Sequence, residues 1–142
     1  MIGNKNIITT ISYFILSLGA ISTSILFLYT SGLWIENVIE LKMLAWLSWA
    51  VLPYLLLFFA VWVFKKNEVI INILFTCTLL TVLPGILGYI NALFIHIDAQ
   101  GGLIFIFLPL YQICLTVIFV LIAVFIFCVQ KFKSKGGADI FH

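Results

Sequence analysis

Residues 98–129 read DAQGGLIFIFLPLYQICLTVIFVLIAVFIFCV, an acidic loop and a Gly-Gly pair followed by an almost unbroken apolar run. From Leu103 to Val129 the run contains no Asp, Glu, Lys, Arg or His. It is longer than the ~20 residues that a helix needs to cross the hydrocarbon core of a bilayer. Polar and apolar residues do not alternate along it, so it predicts a transmembrane helix and not a barrel strand.

Three more apolar stretches precede this one, at Ile7–Tyr29, Met43–Phe64 and Val69–Leu93. The chain of 142 residues is 65% hydrophobic and only 8% charged, whereas about a quarter of the residues in soluble domains are charged. The connections are too short to fold as separate domains. We therefore predict a single transmembrane domain over residues 1–142, an all-α integral membrane protein built as a four-helix bundle.

The lysines orient these four spans, because positively charged residues concentrate in cytoplasmic loops. With an even number of spans, six lysines fall on one side of the membrane: Lys5, Lys65, Lys66, Lys131, Lys133 and Lys135. Only Lys42 falls on the other side. Both termini are therefore predicted to be cytoplasmic. Lysine without arginine, together with abundant Ile, Phe and Asn, indicates an AT-rich bacterial genome and hence the inner membrane.

The connection between the first two spans reads SGLWIENVIELK over residues 31–42. Apolar residues can share one side of a helix here, while Glu36, Asn37 and Glu40 share the other. This pattern predicts a short helix in the outer headgroup layer with Trp34 as its anchor. An ordinary loop containing a few apolar residues is the alternative.

Polar and helix-breaking residues of the four spans lie at one depth. Pro53, Pro84 and Pro109 are each roughly 10–15 Å from the outer ends of their spans, at 1.5 Å per residue, and each is expected to kink its helix. At a similar level lie Gly19, Ser22, Tyr54, Gly88, Asn91, Tyr111 and Gln112. One hypothesis is a polar pocket open to the outside, with Gln112 as its deepest hydrogen-bonding group. The alternative is that these residues mediate helix contacts and that Gln112 bridges two helices.

Helical spacing predicts which faces of the spans meet other helices. In the first span Phe14, Leu18, Ile21, Ile25 and Leu28 form an apolar stripe, and small residues cover much of the remaining surface. In the third and fourth spans, small or polar stripes consist of Cys77, Thr81, Pro84, Gly88 and Asn91, and of Pro109, Gln112, Thr116 and Ala123. These faces are expected to pack on neighbouring helices.

Several kinds of chemistry have no support in this sequence. The spans contain no ionisable side chain of the type that marks proton relays, ion pathways or haem ligands. A chain without arginine or a basic patch is not expected to bind nucleic acid. Cys77, Cys114 and Cys128 stand alone in apolar spans and are interpreted as buried small hydrophobic residues. His96 and Asp98, even with Glu36 and Glu40, are a weak metal signal, and a solvated loop is favoured. We predict no catalytic residue, cofactor or metal.

The resulting functional prediction is a non-enzymatic membrane protein that acts through helix-to-helix contact with another membrane component. In size, span number, short loops and cytoplasmic termini it resembles small multi-span immunity proteins of pore-forming bacteriocins, which implies protection against a toxin in the bilayer. An accessory subunit of a membrane complex is a related option. The alternative from another class is a small oligomeric channel or carrier for a neutral or lipid-like solute.

Overall fold

Four α-helices form the fold in the computed structural model, which describes residues 2–30, 41–91, 94 and 101–136. Helix α1 spans Ile2–Thr30, α2 Leu41–Phe64, α3 Glu68–Ile90 and α4 Gly101–Gly136. Each is long and apolar enough to cross a membrane. The prediction of an all-α fold with four such helices is confirmed for the described residues. Residues 31–40, in the segment predicted as an interfacial helix, lie outside the described residues.

The helices extend beyond the apolar stretches at several ends. Helix α1 begins at Ile2, and α4 continues to Gly136 through the terminal lysines. Hydropathy marks the part of a helix suited to the hydrocarbon core, whereas backbone hydrogen bonding can continue into the headgroup layer. Helix α3 is bounded by caps at both ends: the Asn67 side chain accepts a hydrogen bond from the Ile70 N–H, and the Asn91 N–H bonds to carbonyls of the last turn.

The bundle places α1 and α4 at opposite corners, with α2 and α3 each packed against both of them. A tight turn joins α2 to α3, closed by a 2.9 Å hydrogen bond from the Asn67 N–H to the Phe64 carbonyl. The Asn67 side chain also donates to Gln130 Oε1 at 2.5 Å, which ties the turn to α4. The second and third helices thus form the antiparallel hairpin that the short connection predicts.

The faces that meet inside the bundle follow helical spacing. In α1, Phe14, Leu18, Ile21 and Ile25 are exposed, as expected for a stripe that faces lipid, whereas Leu28, the last member of the predicted stripe, is half-buried. In α4, the predicted stripe of Pro109, Gln112, Thr116 and Ala123 is buried. The main core residues are Leu16 of α1, Tyr54, Leu57 and Val61 of α2, Ile70, Ile71, Leu74 and Cys77 of α3, and Ala123 of α4. In a bilayer this close packing and the hydrogen bonds between helices hold the bundle together.

The cysteines occupy different environments. Cys77 is buried, whereas Cys114 and Cys128 are exposed on the outside of α4. The prediction that all three are buried is therefore wrong for the latter two. Cys114 follows Gln112 by two positions, which turns it about 200° around the helix from the buried face.

Candidate functional site

The side chain of Tyr54 lies at the centre of the bundle and is only 1% exposed. Its hydroxyl is 2.9 Å from the Thr23 hydroxyl of α1, and it accepts a hydrogen bond from Gln112 Nε2 of α4 at 3.2 Å. The ring lies against Gly19 of α1, and the hydroxyl lies beside Gly85 of α3. Tyr54, carried by α2, therefore contacts all three of the other helices.

Gln112 extends this contact into a network that joins α2, α3 and α4. The residue is fully buried, and its Nε2 also donates to the Thr81 carbonyl of α3 at 2.9 Å. Within α4, the Thr116 hydroxyl donates to the Gln112 carbonyl at 2.8 Å. A single amide group thus holds two neighbouring helices by two hydrogen bonds, which favours the helix-bridging interpretation of Gln112.

The network has one unused acceptor, and two further side chains carry buried donors that are unused. Among the described residues, three buried polar atoms have no hydrogen-bond partner: Gln112 Oε1, the Tyr89 hydroxyl and Trp49 Nε1. The Tyr89 ring packs on Phe105 with centroids 5.1 Å apart, and Phe105 in turn meets Phe27 edge-on at 5.6 Å. An aromatic cluster therefore adjoins the polar network along α1, α3 and α4.

Two glycines provide the space that the network occupies. A Cβ atom on Gly19 would lie 2.8 Å from Tyr54 Cε1, and one on Gly85 would overlap Gln112 Nε2 and lie 3.1 Å from the Tyr54 hydroxyl. Real Cβ atoms essentially never show contacts under 3.0 Å, so an alanine at either position would require Tyr54 or Gln112 to shift. Glycine in α1 and α3 leaves room for both side chains where they are. Small residues serve the same purpose in other membrane helix pairs.

The structure brings together three of the seven residues predicted for a shared polar level: Gly19, Tyr54 and Gln112. Ser22 and Gly88 are half-buried, and Gly88 faces Leu108. Asn91 lies on the exposed side at the end of α3. Tyr111 is 51% exposed on the outer surface of α4.

The three prolines are inside their helices, as predicted, but they face different ways. Pro53 and Pro109 are buried, whereas Pro84 is exposed. Gly85, which the sequence pattern did not identify, takes the inward place that Pro84 was expected to occupy. Thr23 belongs to the small-residue surface of α1, and Thr81 belongs to the predicted small or polar stripe of α3. Their spacing from Gly19 and Gly85, four residues in each case, is the signal that links them.

The chemistry of this network is that of neutral hydrogen-bonding groups. It consists of a phenol, an amide, threonine hydroxyls and a backbone carbonyl. General acid–base catalysis near neutral pH needs a group whose pKa lies close to the operating pH, and a metal site needs several convergent ligands. The described residues contain no group of three or more His, Cys, Asp or Glu side chains that could hold a metal ion. His96 and Asp98 lie outside these residues.

Comparison with known proteins finds no matching family model, no matching curated protein and no matching solved structure.

Proposed function

We propose that the protein acts without catalysis, through contact between its outer surface and another membrane component. The observation that carries this proposal is the position of Tyr54, which fills the interior and contacts the other three helices. The polar groups around it bond mainly to one another, so they serve the bundle itself. What remains for recognition is the surface that faces outward.

The contact surface proposed here is a groove between α2 and α4. It encloses about 380 Å³, and Thr116 is the one polar residue in its lining. Ala60 and Thr116 are buried at its floor, whereas Phe59 and Leu121 are strongly exposed at its sides. A small-residue floor lets a helix backbone approach closely, and large apolar walls then pack around it. The occupant we propose is a transmembrane helix of another protein.

Filling the groove is expected to abolish this contact. Val117 lines the groove and is 47% exposed, whereas the adjacent Ile118 is 54% exposed and lies outside it. In pull-downs of the tagged full-length protein from its native membrane in mild detergent, V117W is expected to lower recovery of a stoichiometric partner by about 30-fold, the size of a hot-spot loss. The matched variant I118W is expected to retain the partner, as judged by quantitative mass spectrometry. Equal recovery with both variants would contradict the groove as the docking site.

The most specific form of the proposal is immunity to a pore-forming toxin. Cells that express the chain are then expected to survive a toxin that kills control cells, and V117W is expected to remove the protection while I118W retains it. A panel of pore-forming toxins without any protected member would argue against immunity and leave an accessory subunit as the form to pursue.

An oligomeric channel or carrier is the competing proposal. Because Tyr54 fills the interior of one chain, a solute path would have to run between copies. Sizing of the purified protein separates the two proposals: a homo-oligomer of defined size, without a foreign partner and with solute flux in liposomes, would support the channel and count against the contact proposal.

The proposed orientation places both termini in the cytoplasm of a bacterial cell, on the basis of the lysine distribution. In a background without native cysteines, a membrane-impermeant maleimide is expected to label Lys42→Cys in intact cells. It is expected to label Lys66→Cys and Lys133→Cys only after lysis. The opposite pattern would show that the orientation is inverted.

A further inference from the structure

A second concave feature lies at the lysine-rich end of the bundle, far from the polar network. It is a cavity of about 330 Å³ between the first turns of α1 and the turn that joins α2 to α3. Its lining consists of Asn6, Thr9, Thr10, Lys65 and Lys66. All five are polar, two are cationic, and none is acidic.

The backbone that carries the two lysines is held in place. The Asn67 N–H bonds to the Phe64 carbonyl, and the Asn67 side chain both caps α3 and donates to Gln130 of α4. The turn is therefore fixed at both of its ends, and it keeps Lys65 and Lys66 next to each other. Two lysines in the lining of one cavity favour an anion as its ligand, because an anion offsets the repulsion between their charges.

The nearest carboxylate in the sequence is not part of this lining. Glu68 lines a different cavity, on the side of the turn that faces Phe127 of α4. Lys66 borders both cavities. A lysine ammonium has three donors, so an existing contact leaves donors for a further ligand. The Thr9 and Asn6 side chains add neutral groups of the kind that bind phosphate oxygens.

The cavity also lies at a depth where lipid headgroups are found. The apolar spans of α1, α2 and α3 end at Asn6, Phe64 and Glu68. The Lys65 ammonium is 5.8 Å from the centre of the Trp62 ring, and tryptophan is enriched at the membrane–water interface. One to two turns deeper, the Tyr13 and Phe58 rings pack at 4.6 Å along the seam between α1 and α2. An acyl chain can follow this aromatic seam from the cavity into the bilayer.

We propose that the cavity formed by Asn6, Thr9, Thr10, Lys65 and Lys66 binds the phosphate headgroup of an anionic phospholipid. The lysine ammonium groups neutralise the phosphate, and the acyl chains lie along the seam between α1 and α2. The site is independent of the groove between α2 and α4, so its failure would leave the proposed contact with a partner helix untouched.

Native mass spectrometry of the full chain in neutral detergent tests this site. The probes are phosphatidylglycerol, phosphatidylcholine and inorganic phosphate at equal concentration. The K65Q/K66Q variant is expected to weaken phosphatidylglycerol binding on the order of 30-fold, because each lysine near an anionic surface contributes roughly a factor of five. The variant K65R/K66R keeps both charges and is expected to keep binding. Circular dichroism and the melting temperature without added lipid show that each variant is folded.

The matched control is K131Q/K133Q, which removes the same charge from exposed positions of α4. It is expected to change phosphatidylglycerol binding by less than about threefold. An equal loss in both double variants would overturn the site in favour of general attraction between charges. Equal binding of phosphatidylcholine, or full competition by inorganic phosphate at the same concentration, would overturn the assignment to an anionic lipid.

Discussion

Replacing Tyr54 with alanine is expected to lower the free energy of unfolding by about 3–5 kcal/mol, the range for removing a large buried aromatic side chain. The effect should be large because the ring packs against Gly19 and the hydroxyl meets Thr23, Gln112 and Gly85. Its removal leaves a cavity where all four helices meet. Unfolding in detergent, followed by circular dichroism, measures the loss.

Two further tyrosine variants show how much of this stability comes from the ring and how much from the hydroxyl, and how a buried tyrosine differs from an exposed one. Tyr54→Phe keeps the ring and removes one hydrogen-bonding group, so a loss of about 1 kcal/mol is expected. Tyr111→Ala removes a tyrosine that is 51% exposed, and its effect should stay within about 0.5 kcal/mol. Similar losses for Tyr54→Ala and Tyr111→Ala would show that Tyr54 does not organise the bundle.

Replacing Gly85 with alanine is expected to lower the free energy of unfolding by about 2 kcal/mol, within the range for overpacking a filled core. The new Cβ would overlap Gln112 Nε2, so Gln112 must move and give up its bonds to Thr81 and Tyr54. The better helix propensity of alanine, about 1 kcal/mol, offsets part of a larger steric cost. Thermal and denaturant unfolding in the same detergent measure the net change.

Gly88→Ala is the matched control on the same helix. A Cβ at Gly88 would lie 3.2 Å from a Leu108 methyl group, which a small rotamer adjustment can relieve, so a change near zero is expected. The cause is tested by repeating Gly85→Ala in a Gln112→Ala background. If displacement of Gln112 is the cause, the cost should disappear there, and an unchanged cost would refute this explanation.

These variants also separate the scaffold from the surface proposed to act. Tyr54→Phe alters the interior and leaves the groove between α2 and α4 in place, whereas V117W alters the groove and leaves the polar network in place. If the protein acts by contact, V117W should lower partner recovery, and Tyr54→Phe should leave it unchanged despite a modest loss of stability. A Tyr54→Phe protein that is folded but has lost its partner would contradict this division.

Composition and hydropathy were sufficient to predict the four helices and their approximate limits. Lipid cannot satisfy backbone hydrogen bonds, so an apolar stretch of this length has few structures available other than a helix. The inward faces of α1 and α4 could also be predicted from the sequence. A stripe of small or polar residues beside bulky apolar residues indicates which side of a helix packs against other helices. Gln112 was identified as a strong hydrogen-bonding group for the same reason.

Which residues form the site was harder to predict, as two tyrosines expected at the same level illustrate. Tyr54 and Tyr111 lie at a similar depth and are chemically identical, yet one is buried and the other is half-exposed. Tyr111 precedes Gln112 by one residue, about 100° around the helix, so it turns outward when Gln112 turns inward. The depth of a residue in the membrane does not show towards which side of the helix its side chain turns.

Four apolar helices follow from the amino-acid sequence alone, because the length and hydropathy of each span are local properties. The packing of the helices brings Tyr54, Thr23, Thr81 and Gln112 together, and it turns Gly85, not Pro84, towards them. Both positions lie within about 60° of the direction of Thr81 on the helix, so sequence spacing allows either one. The neighbouring helices select between them, since only glycine leaves room for the Gln112 amide beside Tyr54.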